Sequence, residues 1–76
     1  MDKEIEKLKR LLKHWKEHSS SHKDSYIKWK NVAKERGFVA VVQNLNKAIE
    51  KLDESTSYLD KAYEFLNYNT LKDPDS

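Results

Sequence analysis

Apolar residues recur along this chain at alternating steps of three and four, the spacing of one face of an amphipathic helix, and they do so in two long runs. In the first run Ile5, Leu8, Leu12, Trp15, Ser19, His22, Tyr26, Trp29 and Ala33 share one stripe. Its ends are apolar or aromatic, and its middle layer is Ser19 and His22 with His18 beside it. In the second run Phe38, Leu45, Leu52, Leu59 and Leu66 recur every seven residues. That stripe is widened by Val42, Ile49, Thr56 and Tyr63 on one side and by Val41, Ala48, Ser55 and Ala62 on the other.

Between the runs lies KERGF, which holds the only glycine. A basic residue, a glycine able to turn left-handed and an aromatic to pack back on the last turn are what a helix C-terminus requires. So short a connection makes the two helices antiparallel neighbours. The sequence therefore predicts an all-α hairpin over residues 1–68, with one helix over about 2–36, a turn at Gly37 and a second helix over about 38–67. Residues 69–76, with the only proline at Pro74, read as a flexible tail. A rival architecture breaks the first helix at Ser19-Ser20-Ser21, where Ser21 and Asp24 resemble a capping box, and gives a three-helix bundle.

Each predicted helix is on the order of 45 Å long, and two such rods touching along one seam enclose little volume. The second helix is apolar over more of its circumference than one neighbour covers. Phe38, Leu45, Leu52 and Leu59 are expected to face the core, and the remaining face, with Tyr58 and Phe65, is expected to meet another copy. The expected assembly is a homodimer closing an antiparallel four-helix bundle.

Charge changes this picture little. Residues 1–36 carry a net +5 and residues 37–76 a net −3, for +2 in all. Lys9, Lys16, Lys23 and Lys30 form one stripe beside the first seam, which suits ion pairing to an acidic second helix better than nucleic-acid binding. Zero cysteines exclude disulfides and thiolate metal sites. MDKEIEKLKR reads as a charged helix start rather than a signal peptide, and no apolar run approaches a membrane span. A cytoplasmic location is the expectation. Trp15 and Trp29, fourteen residues apart with Tyr26 between them, read as core filler rather than a stacking platform.

The candidate chemistry lies in HWKEHSSSH. Residues four apart stand one turn above another on a helix, so His14 with His18, or His18 with His22, could converge on one transition-metal ion. His14 and His22 are about 12 Å apart along the axis and cannot share an ion on a straight helix. His18 and His22 are the preferred pair, because Ser19 leaves room for His22 in the seam near Leu52, Ser55 and Thr56. Glu17, Glu54, Asp60, water or a symmetry mate could complete the site. Nitrogen and oxygen ligands without sulfur suit nickel, cobalt or zinc. The bland alternative is a buried His22 hydrogen-bonded to Ser55 or Thr56. No nucleophile–base arrangement, phosphate-binding glycine loop, Glu-x-x-His or His-Glu-x-x-His element occurs, so an enzyme is not expected.

LLKHWKEHSSSHKDSYIKW, followed by a glycine turn and a leucine-rich helix, resembles a family of very short archaeal and bacterial helical-hairpin proteins. Their pattern is close to L-L-x-H-W-x-E-H-N-x-x-H with a downstream aromatic–Trp pair, and the resemblance covers roughly residues 8–66. The family has no established activity. Some relatives look like attachments to chelatases that load cobalt or nickel into tetrapyrroles, which implies metal handling. On matching positions the resemblance points to His14, Trp15, Glu17, His18 and His22, and it departs at Ser19, where the pattern has Asn. The reading is thus a small helical interaction or structural module with a homodimeric or other protein partner; the alternative is a metal-binding accessory protein.

Overall fold

The computed structural model describes residues 2–72, with side chains to Asn69. It consists of α1 (Lys3–Glu35) and α2 (Val39–Lys72), packed as an antiparallel hairpin. Helix α1 begins at Asp2, whose carboxylate accepts a hydrogen bond from the Glu4 amide at 2.9 Å. Glu4 and Glu6 in the first turn and Lys34 in the last complement the helix dipole. The serine run does not break it. Ser19, Ser20 and Ser21 lie inside a continuous helix, so the three-helix rival is rejected.

The connection is a Schellman turn. The Gly37 amide donates to the Lys34 carbonyl at 3.1 Å and the Phe38 amide to the Ala33 carbonyl at 3.0 Å, while Gly37 adopts φ +77°. This left-handed residue reverses the chain in the space of one turn.

Helix α2 runs through Asn67 and Asn69 to Lys72, past the end expected near residue 67. Asparagine is a mediocre helix former, and propagating a formed helix past it is inexpensive when no Pro or Gly intervenes. The remainder of the expected tail, residues 73–76, lies outside the described residues. No described helix is long and apolar enough to cross a membrane.

The seam of α2 is the regular series Val42, Leu45, Ile49, Leu52, Thr56, Leu59, Tyr63 and Leu66, each half-buried. On α1 the series facing it differs from expectation. Ile5, Leu12, Ser19, Tyr26 and Ala33 are inward as expected, but the alternating positions are Lys9, Lys16, Lys23 and Lys30, all half-buried. Leu8, Trp15, His22 and Trp29 are turned outward instead, Trp15 42% and Trp29 57% exposed. The tryptophans are therefore not core filler in the single chain. The lysines that take the seam edge carry interhelical ion pairs: Lys16 pairs with Asp60, and Lys23 Nζ lies 2.8 Å from Asp53. Rolling α1 toward these acids lets the lysine stems cover apolar surface while their ammonium groups stay at the rim.

Phe38 also departs from expectation. It is 58% exposed at the turn rather than in the core, because its amide is committed to closing the α1 cap and α2 enters its seam only at Val42. Among the described residues only Leu12 and Ala33 are buried. The hairpin is a rod, with Cα extents of 59 × 15 × 12 Å.

Candidate functional site

The histidines stand on an exposed face of α1 because the rolled seam turns them away from α2. His14, His18, His22 and Tyr26 follow one another at four-residue steps, so their rings form a ladder along the helix. The His14 and His18 rings stack at 6.0 Å, and the His18 and His22 rings meet edge-to-face at 4.3 Å. His22 continues the ladder to Tyr26 at 6.1 Å.

Within this ladder one contact is distinct. The Nε2 atoms of His18 and His22 point at each other at 2.8 Å, one donating and the other accepting in neutral rings. The contact is a hydrogen bond between rings one turn apart; two nitrogens sharing a tetrahedral metal ion stand farther apart, roughly 3.3 Å for metal–nitrogen bonds of the usual length. His14 stacks on His18 without such a contact, so the structure brings together His18 and His22 and leaves His14 beside them.

The expected environment of His22 is corrected. It is exposed rather than inserted beside Leu52, Ser55 and Thr56, and the Thr56 hydroxyl donates to the Leu52 carbonyl on its own helix at 2.9 Å. Nor does a carboxylate complete the pair within one chain: among the described residues no three His, Cys, Asp or Glu side chains converge. Of the carboxylates considered, Asp60 is engaged by Lys16 and Glu54 by Lys51 at 3.6 Å. That Asp60 contact holds the Lys16 ammonium above its usual pKa of 10.5, chiefly through the hydrogen bond itself, with burial opposing and the charges of Asp60 and Glu64 assisting.

A second stripe crosses this face. Leu8, Leu11, Trp15, His18, His22, Ser25, Trp29 and Val32 alternate by three and four residues beside the α2-facing seam. Because Lys16 and Lys23 join the Asp60 and Asp53 edge of α2, the opposite edges of the two helices must adjoin as well. They place Trp15, His22 and Trp29 on the same side of the hairpin as Val41, Ala48, Ser55 and Ala62, next to the exposed rings of Tyr58 and Phe65. The sequence signal for this face was Leu11 and Val32, apolar residues that a single seam leaves unexplained. Lys28 and Lys61 lie over the Trp29 and Tyr58 rings at 5.4 and 5.2 Å, partly shielding them.

A family model for a domain of unknown function, DUF8180, matches residues 8–66 of the chain. The chain belongs to the DUF8180 family. No curated protein and no solved structure matches it. The DUF8180 match opens at Leu8, the first residue of the exposed stripe, and closes at Leu66, the last apolar residue of the α2 seam. It therefore takes in the histidine ladder, both interhelical ion pairs and the glycine turn as one unit.

Proposed function

We propose that this DUF8180 hairpin is a non-catalytic, self-associating interaction module, two copies of which close an antiparallel four-helix bundle. The observation that carries the reading is the second apolar stripe: α1 turns Leu8, Trp15 and Trp29 outward on the same side as Tyr58 and Phe65 of α2. The surface area supports it. A folded chain of 9.0 kDa exposes about 4,900 Å² by the general scaling of surface with mass, whereas the hairpin exposes 6188 Å². The excess of roughly 1,300 Å² follows from the rod shape, whose long face has room for the roughly 800 Å² each partner contributes to an ordinary stable interface. Sedimentation equilibrium of the chain at micromolar concentration tests the reading. A dimer is expected, and a stable, fully helical monomer would overturn it.

A second reading is favoured by the Nε2-to-Nε2 geometry of His18 and His22: the hairpin handles a divalent ion, nickel, cobalt or zinc, through this pair. Titration of the chain with each ion by calorimetry tests it, with a His18→Ala/His22→Ala variant as the comparison. Equal affinity of the two proteins would end it.

A further inference from the structure

We infer that two copies pair α1 against α1 about a two-fold axis at the level of Ser20, so that His18 and His22 from both chains form one four-imidazole site for zinc or cobalt(II). The inference rests on the self-association and on the His18–His22 ion reading proposed above, and joins them in one geometry.

The exposed stripe on α1, like any three–four stripe, reads the same in both directions about each of its midpoints, and the midpoint at Ser20 is the one that faces the two histidines with each other. Laid antiparallel on itself there, it sets Trp15 opposite the partner's Ser25, Leu11 opposite the partner's Trp29, and His18 opposite the partner's His22. Trp15 thus meets one of the smallest side chains, as facing layers of a packed core require, while Trp29 packs on Leu11.

Helix α2 accommodates the same axis. About the level of Thr56 and Ser57, Ala48 falls opposite the partner's Phe65 and Ser55 opposite the partner's Tyr58, while Ala62 falls opposite the partner's Lys51. There each ring meets a small residue. The hairpin's own ion pairs fix how these levels align. Lys16 and Lys23 straddle Ser19 and Ser20, while their partners Asp60 and Asp53 straddle Thr56 and Ser57. The centres of the two stripes thus lie at one height along the rod, and a single two-fold axis across the exposed face serves both helices.

That axis passes between His18 and His22. Each chain presents two Nε2 atoms 2.8 Å apart, and the two-fold brings a second such pair to face the first across helices packed at roughly 8–10 Å. Opening each pair to roughly 3.3 Å gives four nitrogen ligands at tetrahedral spacing, the coordination that zinc and cobalt(II) accept. That no third ligand joins the pair among the described residues of one chain is consistent with the second copy supplying the rest. His14 lies off the stripe and takes no part.

The test uses the full chain with zinc, cobalt(II) or a chelator. Cobalt(II) should bind at one ion per two chains and give the intense visible absorption of a four-coordinate centre, and zinc should tighten the dimer by at least about tenfold through mass action. The His18→Ala/His22→Ala variant, checked for unchanged helicity by circular dichroism, should lose both effects, and His14→Ala should keep them. One ion per chain without any change in association would overturn the inference, as would a dimer indifferent to metal. The latter leaves the self-association reading standing. A chain that remains monomeric with and without metal overturns both.

Discussion

Lys23 Nζ lies 2.8 Å from an Asp53 carboxylate oxygen, and this contact, repeated one heptad away by Lys16 and Asp60, marks the edge along which α1 meets α2. Both pairs are partly exposed, so each adds little to stability. They show which stripe of α1 is inward and which remains for another molecule.

The Lys16–Asp60 contact has a pH signature. Its hydrogen bond raises the lysine pKa in the folded state above the usual 10.5, so the folded chain holds this proton more tightly than the unfolded one. The contribution is complete below 10.5 and is lost as pH rises through the folded-state value. Thermal unfolding across this alkaline range should therefore show a steeper decline for the wild type than for Lys16→Met. Parallel declines would mean that the pair does not persist in solution.

Leu12 is the most buried large side chain, at 6% exposure. Leu12→Ala removes it from the α1–α2 seam and should lower stability by about 2–3 kcal/mol, near the lower end for core leucines because the surrounding layer is thin. Urea unfolding followed by circular dichroism measures this. A loss below about 0.5 kcal/mol, a surface value, would place the seam elsewhere.

Gly37 has φ +77°, and a Cβ there would meet nothing within 4 Å. Gly37→Ala should therefore be destabilising by about 1 kcal/mol from backbone strain alone, and Gly37→Asn by less, since Asn tolerates this conformation. Equal stability of all three proteins would show that the turn takes another form.

Trp15 and Ser25 provide a test of the two-fold register. Trp15→Ser and Ser25→Trp should each weaken the dimer, the first by roughly 30-fold or more for the loss of a buried aromatic, the second by crowding two tryptophans. The double variant exchanges large and small across the axis and should regain most of the affinity. A double variant weaker than both single variants, measured by sedimentation equilibrium, would rule out this register.

His22→Leu separates the face from the fold. Because His22 is exposed and contacts His18 rather than α2, the variant should keep full helicity, lose cobalt(II) binding and dimerise more tightly without metal, as an apolar layer replaces a polar one. Loss of helix content would show that the imidazole supports the hairpin itself.

Local structure was legible along the chain, because the responsible forces act over a few residues. Heptad spacing made Lys3–Glu35 and Val39–Lys72 helical, Gly37 with its neighbours set the cap, and the continuous stripe carried α1 through three serines. The seam of α2 was also legible, since Leu45, Leu52 and Leu59 lie at its centre. The rotation of α1 was not legible there. Two stripes run side by side on that helix, sharing a flank, and local periodicity is compatible with either facing inward. The observed rotation sets Lys23 and Lys16 beside the Asp53 and Asp60 carboxylates, far away in sequence, with Trp15, His22 and Trp29 outward. The convergence of His18 and His22 was within reach of a four-residue spacing, but their exposure depended on that rotation, because a helix cannot bury two adjacent stripes against a single partner.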